Sequence, residues 1–492
     1  MLPCPHRARK NSPSNQREAS MDQVALIMEK AVMAAAEFNQ FDQAATDRVV
    51  EAVFRAAFNA RIRLAGMAVE ETGMGVKEDK VLKNVLASLL VYRDIRGEKT
   101  AGVIGYDERL GITEIAQPLG PIFALTPVTN PTSTVIFKIL ICLKTRNPIV
   151  ISPHGRATKC SCETARICYE AALAVGAPED CVQWISEGSH DLTHRFMSHP
   201  NLALILATGG SGLVAAAYSS GTPAIGVGPG NVPVLIDRSA DFPFAVSSII
   251  SSKTFDNGTV CASEQAVVVE KAVAEEVRAE FERQNCYFAS PEETAKIEAA
   301  VINPKTGGVN PAIVGRPAAE VAKRAGLEPP AGTKIIIVPL DRVAADEPLS
   351  GEVLAPVLAF YAEEDYPAAC NRCISLNYRG GLGHTAAIYA NDEERIRQFG
   401  GLMNAGRVVV NTPSSQGGVG GTFNTLPTSF TLGCGSGGKN ITTDNISAKN
   451  LINIKKVCRR RPNAMWDEFE TGKFLDDSFD ADSLPGEYGR NF

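Results

Sequence analysis

The sequence predicts an α/β protein whose parallel sheets are covered by helices on both faces. From about residue 120 to about residue 410, short and uniformly apolar segments alternate with helical stretches. This alternation is typical of βαβ units, in which the strands are buried on both sides. The chain has 492 residues, and at about 150 residues per domain this length predicts about three structural units.

Composition narrows the class of protein further. Hydrophobic residues make up 45% of the chain, charged residues 21%, and the net charge is −6. This balance predicts a globular protein with a large core, and it makes nucleic acid an unfavourable partner because no global positive field is present. The apolar runs are far shorter than the roughly 20 residues of a membrane-spanning helix. The 12 cysteines show no repeated spacing, which predicts reduced thiols in the cytoplasm.

The N-terminal part predicts a leader, a helical region and a hairpin. Residues 1–20 are basic and lack apolar periodicity, so we expect a disordered leader, which is either a tail or a targeting segment. Helical spacing of apolar residues begins at Met21. Two β-prone segments flank the turn residues Asp107 and Glu108, and they predict a hairpin arm over about residues 101–118.

The apolar strands fall into two groups, which we assign to two domains. The first group predicts a domain over residues 21–236 that suits nucleotide binding, and the second predicts another α/β domain over residues 237–427. Residues 428–461 follow as a returning segment with a strand, and residues 462–492 form an acidic tail expected to be mobile or to dock locally. The predicted strands lie at residues 122–125, 148–151, 182–185, 202–206, 224–227, 234–236, 266–269, 334–338, 355–361, 385–389 and 407–410.

Cys261 is the candidate nucleophile. It follows the glycine-containing turn at residues 256–258 and precedes an apolar strand, so a loop presents its thiol. A loop thiol can act as a nucleophile if its surroundings favour the thiolate, whereas a buried thiol behaves as a small hydrophobic side chain. The local sequence leaves both interpretations open.

A glycine-rich turn is the candidate phosphate site. It follows the strand at residues 202–206 and opens a helix, where backbone N–H groups and the positive end of the helix can receive a phosphate. The pattern is not the dinucleotide fingerprint, so alone it is weak. The turn consists of Thr208, Gly209, Gly210 and Ser211.

The cysteine pairs do not predict a metal site. Cys370 and Cys373 form one close pair, and Cys160 and Cys162 form another. A zinc site needs four ligands, and no histidine lies near either pair in sequence. We therefore expect no bound metal.

Three segments resemble the coenzyme-A-acylating aldehyde dehydrogenases, in particular the aldehyde dehydrogenase half of the bifunctional aldehyde-alcohol dehydrogenases. They are residues 207–237, residues 253–265, and residues 411–420 followed by 431–435. The resemblance extends over about residues 21–457, and no iron-dependent alcohol dehydrogenase half is expected. It implies an aldehyde dehydrogenase-like fold, with a Rossmann-like cofactor domain, a catalytic α/β domain and a β oligomerisation arm. The oligomerisation arm in turn implies a homo-oligomer, either a dimer or a larger assembly.

The resemblance also implies residue roles. Cys261 would be the nucleophile, and the side chain of Asn130 would form the oxyanion site with the backbone N–H of Cys261. Glu352 would hold the nicotinamide ribose of the cofactor. The turn from Thr208 to Ser211 would take the pyrophosphate. The segment beside the adenine ribose would consist of Ser152, Pro153 and His154.

The segment at residues 225–233 bears on the fate of the acyl group. In hydrolytic relatives a glutamate in the corresponding segment activates water, but here that segment contains no carboxylate. Without this base, we expect water to hydrolyse the acyl thioester slowly, so that release of the acyl group relies on an incoming thiol. We therefore expect an acetylating type of acetaldehyde dehydrogenase, which converts a short-chain aldehyde, coenzyme A and NAD reversibly to acyl-coenzyme A and NADH.

Several alternatives stay open. A hydrolytic aldehyde dehydrogenase would require Glu264 to face the thioester, and an assembly or shell-cargo protein would have only secondary catalysis. Arg156 and Lys159 could accept a 2′-phosphate, so NADP stands beside NAD. The aldehyde is not identified, although the loop at residues 412–423 is expected to line its pocket. The location is expected to be cytoplasmic, either free or within a protein shell or filament.

Overall fold

The computed structural model describes residues 13–460, 472 and 475–483. Its strands form a five-stranded, a seven-stranded and a three-stranded sheet. The first part of the chain is helical, and a π-helical turn at Leu86–Leu90 joins its last two helices. In order, these elements are α1 (Pro13–Phe38), α2 (Gln43–Thr72), α3 (Lys77–Val85) and α4 (Val91–Ile95), followed by the strands β1 (Gly102–Asp107) and β2 (Ile112–Pro118).

The five-stranded sheet is parallel, with strand order β5-β4-β3-β6-β7. Its elements are β3 (Ile122–Thr126), α5 (Pro131–Lys144), β4 (Ile149–Pro153), α6 (Thr158–Leu173), β5 (Val182–Trp184), α7 (His190–Met197), β6 (Leu204–Thr208), α8 (Ser211–Tyr218) and β7 (Ala224–Val227). The chain leaves β3 towards one edge and β6 towards the other. The loops after these two strands therefore border the crevice in which such sheets bind ligands.

The seven-stranded sheet is also parallel, with strand order β10-β11-β12-β9-β8-β13-β14. Its first elements are β8 (Val232–Ile236), α9 (Phe242–Thr254), β9 (Glu264–Glu270), α10 (Lys271–Arg283), β10 (Cys286–Phe288), α11 (Pro291–Val301) and α12 (Ala318–Ala325). The remaining elements are β11 (Ile335–Pro339), β12 (Val357–Glu363), α13 (Tyr366–Leu376), β13 (Gly383–Tyr389), α14 (Glu393–Leu402), β14 (Ala405–Val410) and α15 (Ser414–Val419).

The last strand returns to the hairpin. β15 (Ile452–Cys458) pairs antiparallel with β2, which also pairs with β1. The three strands form an arm whose side chains are largely exposed, among them Ile454 and Val457. The predicted hairpin and the predicted α/β fold with an arm are confirmed. Within the returning segment predicted at residues 428–461, the strand occupies Ile452–Cys458.

Two sequence-based boundaries differ from the structure. β8 pairs with β9 and β13, so the boundary at residue 236 is one strand too late, because an apolar strand alone does not reveal its sheet. Residues 13–20 lie in α1, although they were expected in a disordered leader. A polar helical end has no apolar periodicity to reveal it. Residues 1–12 and most of the predicted acidic tail lie outside the described residues.

Candidate active site

The crevice beside the five-stranded sheet opens into a cavity of about 260 Å³. The wall on the side of the five-stranded sheet consists of three segments. They are residues 127–130 after β3, 208–210 at the end of β6 and 227–229 at the end of β7. The seven-stranded unit contributes Thr259, Cys261, Glu352 and Leu354. The fold thus brings together predicted site residues that are far apart in sequence: Asn130, His154, Thr208, Gly209, Gly210, Cys261 and Glu352.

The loop that carries Cys261 is tightly constrained. Asp256 and Asn257 have positive φ angles of 51° and 53°, a conformation that short polar side chains tolerate better than most. Gly230 packs against the far side of the loop, where a Cβ would lie 2.1 Å from the carbonyl oxygen of Cys261. Any side chain at position 230 would therefore push the nucleophile out of place.

The surroundings of Cys261 favour the neutral thiol. Burial raises its pKa to about 12, and the carboxylate of Glu352 acts in the same direction. Because the thiolate is the nucleophile, the reaction needs a group that accepts the thiol proton. Among the described residues that line the cavity, the other titratable side chains are His154 and Glu352.

Asn130 connects the two sheets at the cavity. It precedes α5, whose first residue is Pro131, and the proline ring is well suited to a first helical position. The side-chain Nδ2 of Asn130 donates to the carbonyl oxygen of Thr259 at 3.2 Å and to Thr129 Oγ1 at 3.1 Å. The amide donor expected from the resemblance therefore lies against the loop of the nucleophile.

A buried ionic cluster behind Asn130 was missed in the sequence. Lys80 and Lys83 of α3 both donate to Asp256 Oδ2, at 2.9 and 2.5 Å. Burial opposes the ionisation of Asp256, but the two ammonium groups hold the pKa of this carboxyl below its ordinary value. The spacing of the two lysines places them on one face of a helix, which was the only available signal.

The glycine-rich turn fits a dinucleotide phosphate. Gly210 ends the turn and precedes α8. The first N–H groups of a helix lack intrahelical acceptors, although the N–H of Leu213 already donates to the carbonyl oxygen of Gly210 at 3.0 Å. A Cβ built at Gly210 or at Gly228 would meet no protein atom within 4 Å. Both glycines line the cavity, and the space beside them is open for a ligand.

Glu352 lies on the opposite wall. Its Oε1 accepts a hydrogen bond from the backbone N–H of Gly230 at 2.9 Å. Burial raises its pKa to about 7, so its charge changes near neutral pH. A carboxylate in this position can accept hydrogen bonds from ribose hydroxyl groups, as the resemblance implies.

Three other predicted site residues do not line the cavity. Ser152 is buried at the end of β4, Pro153 is half-buried beside it, and Ser211 is exposed at the start of α8. None of the three is among the residues that line the cavity. His154, which follows Pro153, reaches the cavity, and burial together with Arg156 lowers its pKa.

A smaller cavity of about 40 Å³ lies on another side of Cys261, with Thr134, Val260, Val419, Phe430 and Leu432 in its walls. Val419 is the residue of the loop at residues 412–423 that lines this cavity, and the expectation that the loop lines the aldehyde pocket stays a prediction. Much of the loop folds into α15. There Ser414 and Ser415 are buried and bonded to Glu264 and Ser252.

Glu264 does not face the nucleophile. Its Oε1 accepts from the backbone N–H of Ser414 at 2.8 Å, and Glu264 is not among the lining residues of either cavity. Burial raises its pKa to about 7. The hydrolytic alternative, which required this side chain to face the thioester, therefore has no support from its position.

The cysteine pairs have structural surroundings. Cys370 and Cys373 are both buried on α13 in an apolar cluster. Over the described residues, no group of three or more histidine, cysteine or acidic side chains is placed to hold a metal ion. In the same part of the chain, no helix is long and apolar enough to cross a membrane.

Comparison with known proteins places this geometry in a family. The family model for the aldehyde dehydrogenase family matches residues 4–424. The bifunctional aldehyde-alcohol dehydrogenase of Escherichia coli K12 is 46% identical over 444 residues, which cover 89% of this chain and 50% of that protein. The chain thus spans about half the length of this relative.

Solved structures agree with this placement. An acetylating aldehyde dehydrogenase from Geobacillus thermoglucosidasius is 45% identical, with a TM-score of 0.87 over 90% of this chain and 98% of that chain. A propionaldehyde dehydrogenase from Rhodopseudomonas palustris, solved with bound coenzyme A and an acylated cysteine, is 28% identical, with a TM-score of 0.78 over 89% of this chain and 97% of that chain. The chain therefore belongs to the aldehyde dehydrogenase family.

Proposed function

We propose that the protein is a coenzyme-A-acylating aldehyde dehydrogenase. The reaction converts an aldehyde, coenzyme A and NAD⁺ to acyl-coenzyme A, NADH and a proton, and it is reversible. The observation that carries the proposal is the composition of the cavity wall at residues 227–229. Val227, Gly228 and Pro229 line the cavity there, and none of them can activate water as a general base.

The first step uses Cys261 and Glu352. The thiol transfers its proton to the carboxylate of Glu352, and the sulfur attacks the aldehyde carbon to form a thiohemiacetal. The backbone N–H of Cys261 and Nδ2 of Asn130 donate to the developing oxyanion. One such donor contributes roughly 3 kcal/mol in the transition state.

The second step needs a hydride acceptor. The turn at Thr208, Gly209 and Gly210 and the carboxylate of Glu352 would hold NAD, which supplies this chemistry when it is bound. Loss of hydride from the thiohemiacetal leaves a thioester on Cys261. We keep NADP as the alternative cofactor because Arg156 and Lys159 are exposed near the end of β4. The two dinucleotides are compared in the same assay.

The third step transfers the acyl group to coenzyme A. Among the described residues that line the cavity, Glu352 is the one carboxylate, and in the proposed first step it has already taken up the thiol proton. Water therefore has no dedicated base, whereas a thiol is a strong nucleophile that needs little activation. Thiolysis should outpace hydrolysis.

The smaller cavity supports a short substrate. Its volume of about 40 Å³ and its lining, which includes Val260, Phe430 and Leu432 and no charged side chain, suit a short uncharged acyl chain. Acetaldehyde is the proposed substrate. We further propose a cytoplasmic homo-oligomer assembled through the arm, because the described cysteines are free thiols and the arm exposes apolar side chains.

Product analysis tests the proposal. Purified protein is incubated with acetaldehyde and either NAD or NADP, with and without coenzyme A, and acyl-coenzyme A and free acetate are quantified. Acetyl-coenzyme A in amounts equal to NADH supports the proposal. Free acetate formed at the same rate with and without coenzyme A would overturn it. Cys261→Ala is the control, and it should form neither product.

A further inference from the structure

The ammonium group of Lys83 is enclosed by three oxygen acceptors. Its Nζ lies 2.6 Å from Asn130 Oδ1, 2.5 Å from Asp256 Oδ2 and 2.9 Å from Thr259 Oγ1. An ammonium has three N–H donors, and here each has an acceptor. The side chain is 2% exposed, so water does not compete for these bonds.

These contacts fix the orientation of the Asn130 carboxamide. An ammonium can only donate, so the atom of Asn130 that faces Lys83 must be the carbonyl oxygen. The Nδ2 group then points away from Lys83, where its two N–H groups donate to the carbonyl oxygen of Thr259 at 3.2 Å and to Thr129 Oγ1 at 3.1 Å. One of these two bonds is exchanged when the oxyanion forms. A flipped amide would place two N–H groups against a cation.

The same ammonium links the oxyanion donor to the loop of the nucleophile. Asp256 and Thr259 belong to the segment that precedes Cys261, and the Thr259 hydroxyl also donates to Asp256 Oδ2 at 2.7 Å. Asn130, by contrast, is attached to the five-stranded sheet. Lys83 therefore bonds both to Asn130, which follows β3, and to the loop that precedes Cys261. These bonds set the position of Asn130 relative to that loop.

We propose that Lys83 is a positioning residue, which holds the Asn130 amide with Nδ2 towards the oxyanion and keeps that donor in register with Cys261. This inference rests on the proposed function, because it assigns Asn130 to the oxyanion site. A donor displaced by about 1 Å can cost about 10²-fold in rate, so loss of Lys83 should slow the chemical step.

Lys80 provides a matched control. Its ammonium bonds to the same carboxylate, Asp256 Oδ2 at 2.9 Å, and to the carbonyl oxygen of Thr129 at 2.9 Å, but no contact joins it to the Asn130 side chain. A purely structural role of the cluster predicts that Lys80→Met and Lys83→Met have similar effects. A positioning role predicts a larger rate loss for Lys83→Met.

The test is a double-mutant cycle on the single-turnover rate of NADH formation. The variants are Lys83→Met, Asn130→Ala and the combination, with NAD affinity and thermal midpoint measured for each. We expect Lys83→Met to slow hydride transfer about 10²-fold with NAD affinity within about twofold, and to cause little further loss in the Asn130→Ala background. Equal fold-losses in both backgrounds would overturn the proposal.

A second variant covers failure to fold. Lys83→Gln keeps an N–H donor that can bond to Asn130 Oδ1, and its rate should fall between those of wild type and Lys83→Met. If the Lys83→Met variant does not fold, the cycle is run with Lys83→Gln instead. Equal fold-losses in rate in the wild-type and Asn130→Ala backgrounds would again contradict the positioning role. The cycle reads hydride transfer alone, so a failure of the acyl-transfer proposal would leave its outcome interpretable.

Discussion

Cys261 lies in a cavity whose walls raise the pKa of its thiol to about 12, so the side chain is protonated at neutral pH. Glu352 shares that cavity, and burial raises the pKa of its carboxyl to about 7. Glu352 is the proposed acceptor of the thiol proton, which it can take up while its carboxyl is ionised. The reactivity of the cysteine depends on its neighbours, because the thiol alone would remain neutral.

The pH dependence of turnover should report on Glu352. Its raised pKa means that the carboxyl is protonated below about pH 7 and ionised above it, so kcat/KM for the aldehyde should rise with pH through this range. Glu352→Gln should lower activity and remove the rise. Glu264 is a matched control, since burial also raises its pKa to about 7. Glu264→Gln should keep the rise, and loss of the rise in this control alone would contradict the assignment.

Gly228 offers a way to introduce the missing base. Gly228 does not have a positive φ angle, and a Cβ at this position would meet no protein atom within 4 Å. A side chain should therefore be accommodated there. Gly228→Glu should increase acetate formation without coenzyme A by about 10-fold or more. Gly228→Gln has nearly the same shape without the charge and should not. Equal acetate production by the two variants would count against a missing general base.

Residues at the site differ in how visible they are in sequence. Cys261 and the glycine-rich turn occur in local patterns, and the resemblance supplied Asn130 and Glu352. Lys83 has no such pattern, because its role depends on Asp256, 173 positions away. The smaller cavity beside Cys261 was not predicted for a similar reason: Phe430 and Leu432 reach it only through tertiary packing.

At the scale of elements, the buried strands were predictable, whereas the short edge strand β10 was not. β3, β8 and β9 are buried along their whole length, so uniform apolar runs identify them. β10 has three residues at the edge of its sheet and left no comparable run. The pairing of β8 with β9 is set by tertiary contacts, which explains why the sequence placed the domain boundary one strand too late.

The arm should determine the oligomeric state. Ile454 and Val457 on β15 are 48% and 46% exposed, and apolar side chains on such a strand are suited to packing against a second copy. The double variant Ile454→Lys with Val457→Lys should shift the protein to a smaller particle in light scattering. Lys455→Glu with Lys456→Glu changes the charge of the same strand and is the control for nonspecific effects. An unchanged mass for the lysine variant would exclude β15 as the interface.

At the scale of the whole molecule, the termini should be separable from catalysis. Residues 1–20 precede the part of α1 that packs on the body, where Val24 and Met28 are buried in a cluster with Phe123. A protein from Met21 to Pro462 retains these contacts, both large sheets and the arm. We expect kcat within about twofold of the full chain, because the shortened protein keeps the contacts just named. An insoluble or inactive product would show that a terminus contributes to packing.

The molecule as a whole places two α/β units on either side of one cavity, with the proposed oxyanion donor, Asn130, on one and the proposed nucleophile, Cys261, on the other. In the proposed mechanism, acyl transfer from Cys261 depends on a thiol acceptor. The most direct test mixes enzyme, NAD and acetaldehyde rapidly without coenzyme A, follows NADH absorbance and then determines the protein mass. We expect a burst of about one NADH per active site and an acetyl adduct on Cys261. Turnover should resume when coenzyme A is added. Rapid multiple turnover without any thiol, with acetate as the product and no adduct, would contradict this mechanism.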